Sequence, residues 1–358
     1  MATKLVRSAA AIGVMGAIIA ILFVLFTPRA VSRRSGVDPS AIGSGNASSS
    51  PPPVHVLVLD FDPVIADSGG RRTHQAFGWN APRTLAAGYM RDVAEASGGR
   101  MRYDIVEWRT IDEFPPKRDG FRYTPATYAA CLADGRQCHD PDGLDYEGTL
   151  TRYGVVPLID IGSIDEVWLF GGPYFGYFES AMAGPGAFEI NGEAFTGVPA
   201  RRAFAIMGFN SERGVAEMLH NLCHRIEATM ARVYGGWQAE SLTTPWARFA
   251  ANAHQSGGRA GAGSCHYPPN ATSDYDYANP RAVESDADDW LRYPNLTGAR
   301  KRVTAKTWGG PDYHREYMRW WFRRLPRAAG TNADGRLNDW WRYVVDFNDL
   351  ITTNAAVR

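Results

Sequence analysis

The stretch from Glu217 to Glu227 constrains this chain more than any other, because it gathers His220, His224, Glu217 and Glu227 in so few residues. On an α-helix these four positions fall within one arc of roughly 80°, so two imidazoles and two carboxylates line one face. Two histidines four residues apart are spaced to share one metal ion. Gly214 and Gly235 bracket the run, which predicts one long helix between them, with Asn210 and Ser211 available as caps. The competing reading of the same face is a buried network in which the four groups, with Arg213 and Arg225 nearby, satisfy one another.

The rest of the composition says where such a helix would work. The chain has 358 residues and a formal net charge of zero, which argues against a nucleic-acid partner. After a short tail (1–8), residues 9–26 are apolar or small and uncharged. As a helix they would run about 27 Å, close to the thickness of a bilayer core. They are expected to be an uncleaved single-pass anchor. Residues 27–53, rich in Ser, Gly, Ala and Pro, follow as a flexible tether. Arg29, Arg33 and Arg34 after the span outnumber Lys4 and Arg7 before it, which by charge counting favours a cytoplasmic C-terminal side. The stalk-like tether and the four cysteines favour export instead, so the expected location is the cell membrane with the globular part extracytoplasmic. Cys131 and Cys138 bracket a turn-rich hexapeptide suited to a local disulfide. The pairing of Cys223 and Cys265 stays open.

The folded part is expected to begin at Val54. Val54–Asp60 reads as a buried strand, Arg83–Ala96 as a helix and Arg102–Trp108 as a second strand. Residues 109–150 read as an irregular excursion. Val155–Ile161, Asp165–Phe170 and Ala203–Gly208 are further apolar runs of strand type, and the long helix follows the last of them. The predicted fold is therefore α/β or α+β, a mixed sheet with packed helices over 54–236. Residues 237–358 form a Trp-rich half of helices and loops.

This order, with His220 and His224 on the helix that follows the sheet, resembles the N-terminal subdomain of zincin metallopeptidases, in particular the metzincin branch. There a β-α-β-β-β arrangement precedes a helix bearing His-Glu-x-x-His. The resemblance implies a zinc-dependent hydrolase in which His220 and His224 are ligands. The chain departs from the pattern at Asn221, where the family has its catalytic Glu, and at Met230, where metzincins have a third His. The segments Gly171–Phe188, the focal helix and Asp288–Pro294 are also similar to exported bacterial proteins without an assigned activity, over about 165–345.

A metal centre needs a third ligand: Glu227 and Glu217 offer carboxylates about one turn away on the same face, and His266 is the first long-range candidate. A Cys223–Cys265 bridge would bring the backbone of residue 266 close to that of 224. Three histidines and a water make a catalytic zinc set, with Glu217 or Glu227 left as the general base. Asp274 and Asp276, and the cluster Glu284, Asp286, Asp288 and Asp289, are candidate calcium donors. The pairs Trp320-Trp321 and Trp340-Trp341 suggest a second kind of function, a cell-surface glycan or cell-wall binder without catalysis. The expected function is thus a membrane-anchored extracytoplasmic metal-dependent hydrolase-like protein, a degenerate metallopeptidase in the reading that Asn221 suggests, with a peptide or glycan as substrate.

Overall fold

The computed structural model describes residues 51–236 and 241–356. The apolar run 9–26 and the tether up to residue 50 lie outside the described residues. Among the described residues no helix is long and apolar enough to cross a membrane.

The chain opens with β1 (Val54–Phe61), buried along its length except at His55. Helix α1 (Pro82–Ala96) starts with proline in its first turn and ends at Gly98 and Gly99, both with positive φ. Strand β2 (Tyr103–Ile111) returns parallel to β1. The 109–150 region is more regular than its turn-rich composition suggests, containing α2 (Pro125–Ala133) and α3 (Tyr146–Arg152). The run from Val155, expected as a strand, is instead α4 (Val155–Asp160), entered through Gly154 at φ 62°. Its apolar, β-branched content fits either state, and helical packing over the sheet decides it.

Strands β3 (Glu166–Gly171), β4 (Ser180–Ala183), β5 (Ala194–Phe195) and β6 (Phe204–Asn210) complete the sheet. The order is β2-β1-β3-β6-β4-β5. The first four run parallel, and β4 is antiparallel to β6. Both faces are covered, which is why β1, β3 and β6 read as continuous apolar runs rather than alternating ones. Leu57, Leu59, Val167, Leu169 and Ile206 face the core beneath α2–α4. Val56, Val58, Trp168, Phe170 and Met207 face the other.

Helix α5 (Val215–Tyr234) crosses that second face. Its N-cap is Gly214, not Asn210 or Ser211, and the Gly214 N–H donates to Glu217 Oε2 at 2.9 Å. Ser211 ties the ends of two strands together instead, its N–H donating to the Gly171 carbonyl at 2.8 Å. Beneath the helix lies a buried ion pair, Arg225 Nη1 to Glu166 Oε2 at 2.6 Å. Arg225 Nη2 also donates to the Val344 carbonyl at 2.9 Å.

The later part of the chain packs on the same side through α6 (Pro245–Phe249), α7 (Tyr313–Phe322) and α8 (Trp341–Val345). The core that begins at Val54 continues without a break to Leu350. Mixed α/β content with a mostly parallel sheet, followed by helices and loops, is the fold class expected. Both tryptophans of each adjacent pair are buried, with Trp320 at 3% exposure and Trp321, Trp340 and Trp341 at 1% or below. None of these four rings is open to stack on a sugar, and the glycan-binding reading loses its platform.

Candidate metal centre

The i, i+4 spacing on α5 turns His220 and His224 to the same side, with ring centroids 4.6 Å apart. His266 arrives from a separate loop, held by the Cys223–Cys265 disulfide. Its ring centroid is 4.9 Å from His224 and 5.0 Å from His220. One nitrogen from each ring lies within 4.8 Å of the others. His224 Nε2 and His266 Nε2 are 3.0 Å apart. Ligands of one tetrahedral zinc stand about 3.3 Å apart, so the set fits after contraction by no more than about 1.5 Å.

The outer nitrogens explain why the inner ones converge. His224 Nδ1 meets Glu227 Oε2 at 3.1 Å, and His266 Nδ1 meets Asp274 Oδ1 at 2.9 Å. Carboxylates so placed hold the ring proton on Nδ1 and leave Nε2 as a lone pair. His220 is oriented by neutral partners: its Nδ1 lies 3.3 Å from the Tyr277 hydroxyl and 3.1 Å from His314 Nε2. The Tyr277 hydroxyl donates to the Cys265 carbonyl at 2.8 Å, so it can accept from His220. Two Nε2 lone pairs facing each other at 3.0 Å repel unless a cation, a proton or a metal ion, lies between them.

The electrostatics differ from ring to ring. Burial, then the neighbouring His224, His314 and His266, drive the His220 pKa down to about 2, so it is a neutral donor. Burial also lowers His314. Burial opposes charge on His224 as well, but the bond to Glu227 and the charges of Glu227, Glu179 and Asp274 outweigh it and raise its pKa. Tyr275, half-exposed, puts its hydroxyl 3.2 Å from His266 Nε2.

A cleft of about 260 Å³ opens at the carboxyl ends of β3 and β6; no histidine lines it, and Glu179, 3.8 Å from His224 Nε2, stands between the two. Its lining includes Gly172, Tyr174, Glu179, Arg213, Glu217 and Asn221. Open α/β sheets take ligands at this end of their strands. Of the two carboxylates expected to act as bases, Glu217 borders the cleft with one oxygen committed to the helix cap and the other 3.8 Å from His314 Nδ1. Glu227 lies behind His224, and its second oxygen accepts the Cys265 N–H at 2.8 Å. Asn221 donates to the Gly208 carbonyl at 2.7 Å.

The aspartates among the candidate calcium donors are engaged elsewhere, and Glu284 is exposed on a short strand. Asp274 serves His266, and Asp276 accepts from Thr272 and Asn279. Asp286 accepts from Trp290, Asp288 pairs with Lys301 and Arg324, and Asp289 caps Thr297 and Gly298. Cys223 and Cys265 lie beside Glu227 but are bonded to each other and offer no thiolate. Sequence reasoning missed His314 and Glu179, and reached Tyr275 and Tyr277 only as part of a polar, aromatic loop after His266 suited to a substrate wall. Of these two, His314 left a local trace, as a histidine in the first turn of a helix capped by Asp312.

No family model, no curated protein and no solved structure matches this chain.

Proposed function

We propose that this protein is a membrane-anchored, extracytoplasmic metal-dependent hydrolase of zincin type, with zinc held by His220, His224 and His266. The observation that carries the reading is the facing Nε2 pair of His224 and His266 at 3.0 Å, each ring backed by its own carboxylate. Three imidazole nitrogens match the donor set of a catalytic zinc site, and a cleft lined by Glu179 and Glu217 lies nearby. A zinc ion bound there supplies Lewis acidity toward a carbonyl or a water. Support for the zincin likeness comes from the chain order, in which β1, α1, β2, β3, β4 and β6 precede the helix carrying both histidines. Export is supported by two disulfides, and the anchor by the uncharged run 9–26. The substrate class that fits is an acyl compound such as a peptide, entering along the cleft at the β3 and β6 ends.

The test is metal analysis of the purified protein. About one zinc per chain is expected, lost in His224→Ala and in His266→Ala. Metal-free protein whose thermal stability ignores added zinc and chelator would sink the reading.

A further inference from the structure

We propose that Glu179 is the proton-accepting carboxylate of this centre, supplied from the edge of the sheet in place of the helix position occupied by Asn221. The inference rests on the hydrolase reading above. Four carboxylates surround the histidines, and three are spoken for on the wrong side. Glu227 and Asp274 hold the Nδ1 edges of His224 and His266. Glu217 caps its own helix and faces His314. Glu179 alone of the four brings an oxygen toward an inner nitrogen, Oε2 lying 3.8 Å from His224 Nε2.

Its position is built rather than incidental. Glu179 stands immediately before β4, and its carbonyl accepts the Gly208 N–H at 3.1 Å, which fixes it over the end of β6. Asn191, on the loop between β4 and β5, donates to Oε2 at 2.8 Å. That bond leaves the second oxygen of the carboxylate uncommitted among the described contacts. The side chain borders the cleft and is 37% exposed, so it meets water and substrate as they enter. It is not part of the convergent donor set, which is three histidines only. It flanks the nitrogens instead of completing their sphere, as a proton acceptor must.

In hydrolysis of an amide, the water oxygen forms a bond to the carbonyl carbon while one water proton passes to Glu179. The carbon–nitrogen bond then breaks, and that proton passes from Glu179 to the leaving nitrogen. The acid and amine produced contain the substrate and one water, and no electrons are transferred. Asn221 cannot serve, since an amide takes no proton at neutral pH and its Nδ2 is already donating to Gly208.

The experiment uses the full chain loaded with Co²⁺, with acetohydroxamic acid as probe, both followed by the visible cobalt bands. A hydroxamate sheds its proton to a neighbouring carboxylate when it binds a metal. Glu179→Gln and Glu179→Ala are expected to keep Co²⁺ and to bind acetohydroxamate about 10- to 100-fold more weakly, the loss of one charge-assisted hydrogen bond. Unchanged hydroxamate affinity in Co²⁺-loaded Glu179→Gln overturns the proposal, as does a Co²⁺-loaded wild type that takes no hydroxamate. Failure of the wild type to bind Co²⁺ is a different result and removes the three-histidine centre itself.

Discussion

Replacing Cys223 and Cys265 together by alanine tests how the third histidine is held. The bridge closes a loop with a sequence separation of 42 residues. The chain-entropy relation for a loop of that size gives about 4 kcal/mol of stabilisation, acting through the unfolded state. Both sulfurs are fully buried, so truncation adds a cavity cost in the same direction. Against a typical domain stability of about 5–15 kcal/mol this is a large fraction. The loop is not left free, however. Glu227 still accepts the Cys265 N–H, and the side chains of Tyr317 and Trp321 still reach the carbonyls of Ala262, Gly263 and Ser264. The double variant should therefore fold, lose about 4 kcal/mol in chelator, and bind zinc roughly tenfold more weakly because His266 is no longer pre-positioned. Urea unfolding with and without chelator measures the first quantity, and competition with a chromophoric chelator the second. A stability loss under about 1 kcal/mol together with an unchanged zinc affinity would refute the reasoning.

Two further outcomes follow from groups away from the histidines. Arg225→Met should destabilise the protein by about 3–5 kcal/mol in urea, because Glu166 is left buried without its partner; a loss below about 1 kcal/mol would mean Glu166 is otherwise accommodated. Asp60, whose pKa burial and then Asp62 push up to about 6, favours its protonated form when folded. Its contribution is fully present below pH 3.8 and lost as pH rises through about 6, a fall of up to about 3 kcal/mol that Asp60→Asn should lack. Parallel pH profiles of unfolding free energy for the two proteins over pH 4–7 would contradict this.

The sheet was legible where burial on both faces writes itself as an uninterrupted apolar run, as in Val54–Phe61 and Glu166–Gly171. The same signal misleads at Val155–Asp160, which is as apolar and β-branched as a strand but too short for periodicity to arbitrate. Strand β2 runs past Trp108 to Ile111 because it is an edge, with exposed polar positions that composition cannot tell from loop. At the site, His220 and His224 are readable because one helix turn carries both. His314 is 94 residues from His220 along the chain, and Glu179 is 45 residues before His224, so nothing local links them to the helix. Their roles depend on which way α7 and β4 are packed. The tryptophan pairs could be read as sugar-stacking platforms or as core, and a core wrapped around the end of the chain takes both rings of each pair.

That wrapping has a consequence for the order of events as the chain is made. The two helix histidines emerge just after the last strand of the sheet, the third at position 266 with its flanking tyrosines about forty residues later, and His314 later still. A chain cut between His224 and Cys265 carries two of the three histidines and no clasp for the third. If the three histidines hold a metal, its capture would therefore be a late step, open only to molecules in which the loop carrying His266 has already docked against the helix, and a bound ion would mark a finished chain.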